Sequence, residues 1–381
     1  MYKILKNDLL IVFIILFVLS ASFLGTGQIQ NENHVLKNYV LPNLIGYTNT
    51  FIYLVLVLIF IIIGLLSFIN NYKIYKPMLP LLFSYFILFF WSIITVSDQL
   101  RYLLLFLSIF LCPIGMLAIL EKLNFRSLAK SIFFIASILI FLSTIYSYLN
   151  LPELSRVSGI HNNPNLMGMW LVSILTVVLY FSDWVNKKAL YIVVTLVTIL
   201  VIFSGSRLAF IILLILLSPI IFKHSFFSTF AFILGFFYLI MSGDEISIRA
   251  VEVGSAVSDS GRENIWAQAI ECIYLDPIVG HGMFGAESCV NKPNIHNSYL
   301  RLALMLGIPL TIVFFLSFFT FLVKSIFLQV NSYIKLYLIG IPLMFFAEDY
   351  ISGFASPFFP FLVFILALFL FDLKKSRILE K

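Results

Sequence analysis

The chain has 381 residues, 61% of them hydrophobic and only 11% charged, with 42 phenylalanines and a formal net charge of +6. A soluble fold of this length needs far more polar surface, so composition excludes one and points to an all-α, polytopic integral membrane protein. No stretch alternates as a transmembrane barrel does, and the basic excess sits on lysines beside apolar spans, which suits anionic lipid headgroups rather than nucleic acid.

In chain order, hydropathy predicts about twelve spans, at roughly 9–25, 49–69, 78–96, 102–120, 131–149, 166–182, 189–203, 208–222, 225–242, 298–323, 336–347 and 358–371. The first, Leu9 to Gly25, follows Lys3 and Lys6 and ends in Ser20, Ala21 and Ser22. That outline is shared with signal peptides, but with many spans behind it an uncleaved helix is expected. One set of connections is short and lysine-bearing: Asn70 to Lys76, Glu121 to Lys130, Asp183 to Lys188, Lys223 to His224, and Lys324 to Lys335. The other set is irregular: 26–48, 97–101, 150–165, a tight turn at Ser204 to Arg207, 348–357, and the longest, Gly243 to Asn297. No repeat or linker interrupts the chain, which reads as one transmembrane domain, 1–381, with 243–297 as a large loop within it.

The positive-inside rule assigns the lysine-bearing connections and both termini to the cytoplasm. Of the 24 basic residues, sixteen then fall inside, as fourteen Lys and two Arg. Eight fall outside: Lys37, Arg101, Arg156, Arg207, Arg249, Arg262, Lys292 and Arg301. Lysine suffices to hold topology. Arginine, with its planar fork, is the residue for bidentate grip on phosphate or carboxylate. Outer arginines set against the topology rule point to an anionic ligand at the outer membrane surface. The predicted span centres carry no charge, unlike those of most ion-coupled transporters.

The outer segments hold the candidate residues. Arg156 opens Arg156-Val-Ser-Gly-Ile-His-Asn-Asn-Pro-Asn165, rich in turn formers; Asn162 and Asn165 are candidates to line a polar headgroup or sugar site, with Asn165 able to cap the next span. The alternative is an ordinary turn; His161 is expected to be an exposed loop residue rather than a catalyst. Ser204-Gly-Ser-Arg207 joins backbone amides at a helix start to a guanidinium, either as a phosphate site or as a snorkelling helix end. Ser260-Gly-Arg-Glu263 fits a capping box before 261–275, where Ile265, Trp266, Ala269, Ile270 and Ile273 share a helical face. This predicts an amphipathic helix on the outer leaflet, presenting Arg262 at its N-terminus. Asp276-Pro-Ile-Val-Gly-His-Gly-Met-Phe-Gly285 is a glycine-rich turn, and His296-Asn297 stands at the mouth of the next span with Arg301 one turn on. An imidazole there is a candidate proton acceptor for a hydroxyl, or a plain surface residue. Cys272 and Cys289 share the large loop and are either free or paired; Cys112 lies in a span as packing.

Taken together, these stretches resemble the bacterial O-antigen ligase and O-antigen polymerase superfamily. The resemblance rests on Arg156-Val-Ser-Gly…Asn-Pro-Asn165, Ser-Gly-Ser-Arg207, Gly-Arg262-Glu-Asn-Ile-Trp266, Pro277-Ile-Val-Gly-His-Gly282, His296-Asn-Ser-Tyr-Leu300 and Gly307-Ile-Pro309, over residues 150–315. It implies a GT-C-like, metal-independent glycosyltransferase of the bacterial inner membrane, needing no cofactor and working on the periplasmic face. Its donor would be an undecaprenyl-diphosphate-linked glycan, and its expected partners are membrane lipids and a chain-length regulator. By the resemblance Arg207 and Arg262 would hold the diphosphate and His296 would activate or position the acceptor hydroxyl, with Arg156, Asn162, Asn165, Asn297 and Arg301 in substrate binding and no metal ligand. Ligase and polymerase differ in acceptor. The spacing from His296-Asn297 to Gly307 follows the ligase pattern, but Leu310 departs from it and the loop from Arg262 to His296 is compact, so polymerase is preferred. A flippase for lipid-linked oligosaccharides is the competing reading from another class, and it predicts polar groups deep in the spans.

Overall fold

The computed structural model describes residues 2–22, 43–71, 76–95, 98–150, 161, 164–223, 262–282, 284, 288–290, 295–347 and 358–379. Among them the chain is helical with no strand. The helices are α1 (Tyr2–Ser22), α2 (Asn43–Asn71), α3 (Leu79–Ile94), α4 (Gln99–Leu120), α5 (Phe125–Asn150), α6 (Pro164–Tyr180), α7 (Lys187–Ser204), α8 (Arg207–Lys223), α9 (Arg262–Leu275), α10 (Ser298–Phe327), α11 (Ser332–Ala347) and α12 (Phe358–Leu379). Six of the described helical segments are long and apolar enough to cross a membrane: Thr50–Phe68, Lys76–Ile94, Gln99–Leu120, Phe125–Ile145, Lys187–Ser204 and Ser298–Phe327. Shorter apolar helices cover four more predicted spans, from Leu9, Pro164, Leu208 and Ser332. The predicted span 225–242 lies outside the described residues.

Burial sorts the helices into a centre and a wall. Every residue from Phe358 to Leu370 in α12 and from Met167 to Tyr180 in α6 is buried. Helices apolar all round belong inside a bundle, and α12 packs on α4, α6, α1 and α11. The wall helices α2, α3 and α7 bury one stripe and expose another of Leu, Ile and Phe, the pattern of a surface that meets lipid. α2 lies close against α4, with Gly64 at Leu111 and Gly115 at Phe60.

Alternation of the helices groups the connections at two ends. At the lysine end, the Tyr180 hydroxyl and the Asn331 backbone N–H donate to the two Asp372 oxygens at 2.8 and 2.9 Å. Lys374 pairs there with Glu121, and Lys187 with Asp183 at 3.8 Å. Asn186 caps α7 by accepting from Lys188 and Ala189. The other end carries the arginines and α9, and there one predicted span changes form. α10 is broken at Gly307, whose φ of 72° and ψ of 168° are not helical. Its first arm, Ser298–Leu306, turns back so far that the Tyr299 and Phe315 rings lie 4.6 Å apart. In an unbroken helix two residues sixteen apart would be separated by about 24 Å. The predicted span 298–323 is therefore an elbow: the arm from Ile308 onward, about 30 Å long by helical rise, suffices to cross a bilayer, and the first arm folds against it.

Candidate functional site

The elbow explains two glycine-containing stretches at once. Breaking a helix between Leu304 and Ile308 orphans the Ile308 N–H and the Leu304 carbonyl, which would have bonded each other. Both find partners in the turn after α9: Ile308 N–H donates to the Pro277 carbonyl at 2.8 Å, and His281 N–H donates to the Leu304 carbonyl at 2.6 Å. A third group, the Met305 carbonyl, would face the nitrogen of Pro309, which bears no hydrogen; the Trp91 indole donates to it instead, at 2.8 Å. No side chain fits at the crossing. A Cβ on Gly307 would stand 2.2 Å from the Ile278 carbonyl oxygen, and one on Gly280 2.5 Å from the Gly307 nitrogen.

α9 lies along the first arm and runs in the same direction. Near its start, Trp266 donates to the Ile295 carbonyl at 2.9 Å; near its end, the His281 ring lies 2.7 Å from the Cys272 carbonyl, which accepts. A small core of Ala269, Cys272, Ile273, Val290, Ile295 and Leu304 joins the two, and Cys272 is disulfide-bonded to Cys289. The expected helix is thus present, starting at Arg262; Ser260 of the capping box lies outside the described residues. Its expected membrane-facing stripe is corrected. Ala269 and Ile273 are buried and Ile265 and Trp266 partly so, against protein rather than lipid, while Ile270 alone of that set is exposed. The first arm offered this face a partner, which helical periodicity does not reveal.

This packing puts Arg262 and His296 at the same end of the pair formed by α9 and the first arm. Arg262 is one turn before Trp266, and His296 follows the Ile295 that Trp266 holds. His296 is half-buried with φ 54°, a left-handed conformation that costs a non-glycine residue about 1–3 kcal/mol and clusters at functional sites. Asn297 is the cap of α10: its side-chain oxygen accepts from Tyr299 N–H at 2.9 Å and Leu300 N–H at 3.1 Å. Arg301, one turn into the arm, is only 6% exposed. Tyr299 donates to the Pro342 carbonyl at 3.0 Å, tying the arm to α11.

Arg207 begins α8 as the Ser-Gly-Ser turn predicts: Gly205 ends α7 with φ 61°, and Ser206 N–H donates to Ser204 Oγ at 3.2 Å. The Arg207 side chain, like Arg156 and Asn162, lies outside the described residues. Ser206 packs against Gly168 of α6. Asn165, expected to cap α6, is inside it instead, because Pro164 takes the first position, where its fixed φ and missing N–H suit a helix start. His161, expected on an exposed loop, is 4% exposed against Trp170, with ring centroids 5.2 Å apart. Neither His161 ring nitrogen nor the Trp170 indole nitrogen has a hydrogen-bond partner among the described residues, and burial away from water holds the His161 pKa down to about 3.

Sequence reasoning missed Trp91 and Tyr299, which anchor the first arm. The signal for Trp91 was a proline four residues after Met305, which leaves a carbonyl without its helical donor. Among the described residues no group of His, Cys, Asp and Glu is arranged to hold a metal ion. Compared with known proteins, the chain matches no family model and no curated sequence.

Proposed function

We propose that this chain is an O-antigen polymerase: a twelve-span, GT-C-like enzyme of the bacterial inner membrane that joins undecaprenyl-diphosphate-linked repeat units on the periplasmic face. The observation that carries the reading is the elbow. Pro277–Gly282 and Gly307–Pro309, two stretches of the resemblance, dock on each other beside a third that holds His296. The Cys272–Cys289 disulfide supports an oxidising compartment at this end, as a periplasmic assignment requires.

In this reading the diphosphate lies between Arg207 and Arg262, at the starts of α8 and α9, where guanidinium and helix N-terminus both favour an anion. The His296 imidazole takes the proton of the acceptor hydroxyl, or aligns that hydroxyl. The hydroxyl oxygen forms a bond to the anomeric carbon as the bond from that carbon to the diphosphate oxygen breaks, and undecaprenyl diphosphate leaves. Charge grows on the leaving group in the transition state, so the two arginines stabilise it more there than in the bound donor. A ligase would use the same steps with lipid A–core as acceptor, and the His296-to-Gly307 spacing favours that second reading.

Purified protein given undecaprenyl-diphosphate-linked repeat units should lengthen them without nucleotide sugar or divalent metal. Transfer only to lipid A–core makes it a ligase; a strict requirement for metal or nucleotide sugar sinks the reaction class. In the same assay Arg262→Lys, which keeps the charge and loses the fork, should impair transfer. Arg262→Ala should impair it further, by about 2–4 kcal/mol of transition-state stabilisation. Normal transfer by Arg262→Ala removes its diphosphate role.

A further inference from the structure

The exposed face of α9 changes character along its length. Its first two turns expose Glu263, Asn264, Ala267 and Gln268, followed by Ile270 and Glu271; the end of the helix and the turn beyond expose Tyr274, Leu275, Pro277, Ile278 and Val279. Leu275 is 77% and Ile278 70% exposed. A helix lying flat on a membrane keeps an apolar face along its whole length. A gradient from polar to apolar along one face is the pattern of an element that enters lipid by its tip.

The apolar tip also has a fixed neighbour. Ile308 N–H bonds to the Pro277 carbonyl, so the turn sits at the start of the second arm of α10. That arm exposes Ile308, Ile312 and Leu316 at helical spacing. The tip therefore continues, without a polar break, the stripe that α10 shows to lipid if the bundle spans a membrane. The turn is held from several sides, by the Asp276 side chain accepting from Val279 N–H, by the Cys272–Cys289 disulfide and by the crossing of Gly280 with Gly307. It is not a loose loop whose apolar residues collapse inward.

We propose that this turn, through Tyr274, Leu275, Ile278 and Val279, is a rigid lipid anchor sunk into the acyl region of the leaflet beside α10, while the N-terminal half of α9 stays in water. Arg262 and the start of the first arm are then held at a set height above the acyl chains, the level at which a polyprenyl-linked diphosphate emerges from them. The anchor rests on the membrane-spanning reading of the bundle and is independent of what chemistry occurs at His296.

The test places spin labels on single cysteines in a Cys112→Ala background, leaving the native disulfide intact, in phosphatidylethanolamine–phosphatidylglycerol vesicles. Labels at Ile278→Cys and Leu275→Cys should be reached by oxygen and shielded from a water-soluble nickel chelate, like a label at Ile312→Cys. A label at Gln268→Cys should show the reverse, with an oxygen-to-nickel ratio several-fold lower. Nickel access at Ile278 equal to that at Gln268 overturns the anchor, as does exclusion of both reagents, which means protein covers the tip. An Ile312 label in water overturns the spanning arrangement and the anchor with it.

Discussion

At the lysine end of the bundle, Asp372 accepts hydrogen bonds from Tyr180 and Asn331, and Glu121 pairs with Lys374. At the arginine end, His161 is buried with both ring nitrogens unpartnered among the described residues, and His296 stands in a left-handed conformation between a buried Ile295 and the capping Asn297. At the first end Asp372 of α12 is met by the Tyr180 hydroxyl of α6 and the Asn331 backbone before α11, and Glu121 is met by Lys374. At the second, backbone groups and the Trp91 and Tyr299 side chains hold the elbow, while His161 is unpartnered among the described residues and His296 sits at positive φ. Unmet polar groups in a buried setting cost stability, so they persist where something other than stability retains them. In the proposed reading the arginine end is the working end.

The sharpest way to break this comparison is to remove one residue from each end. His296→Ala should lower glycan transfer about 10²–10⁴-fold if it accepts or aligns the hydroxyl proton, with the thermal unfolding midpoint in detergent little changed. Asp372→Asn should do the opposite. An amide cannot accept from both Tyr180 and Asn331, and a buried donor left unmatched costs about 1–3 kcal/mol, so the midpoint should fall while transfer per folded molecule stays near normal. Equal effects of both variants on transfer would erase the distinction between the ends.

Smaller in effect on transfer, and aimed at the elbow, is Gly307→Ala. The left-handed backbone alone should cost about 1–3 kcal/mol, and the Cβ would collide with the Ile278 carbonyl. Gly282→Ala, also at positive φ but meeting only Thr95 at 3.5 Å, should cost less. Matching unfolding midpoints for the two would mean that the clash is relieved and the crossing is looser than drawn.

The smallest expected effect on transfer at neutral pH concerns His161. Its folded pKa lies below the ordinary 6.5, at about 3, so the folded state resists protonation more than the unfolded state does. Its contribution is complete above pH 6.5 and is lost as pH falls toward 3. At pH 5 the loss should be on the order of 2 kcal/mol. Wild type should therefore lose more stability than His161→Gln between pH 7 and pH 5 in denaturant titrations. Parallel losses would show that His161 meets water.

The helical class and most element positions were legible in the sequence, because a run of apolar residues between lysines has few other readings. Arg262 at a helix start and the turn before Arg207 were legible for the same local reason. What was not legible depended on partners. Ile265 and Ala269 share a helical stripe whether lipid or protein covers it, and only the folded-back first arm decides. His161 reads as a loop residue because packing under the Trp170 indole of the next helix leaves no mark on its immediate neighbours in sequence. The break in α10 was written in Gly307 and Pro309, but a hydropathy window averages over it.

The position of α12 has a consequence for how the molecule is made. It is the last of the described helices to leave the ribosome, yet it fills the centre, buried on all sides from Phe358 to Leu370. The helices it packs on, α4, α6, α1 and α11, are therefore made before the partner of those faces. In a chain halted before Phe358 the side chains that meet Phe358–Leu370 stand uncovered, so those faces depend on a helix made well after them.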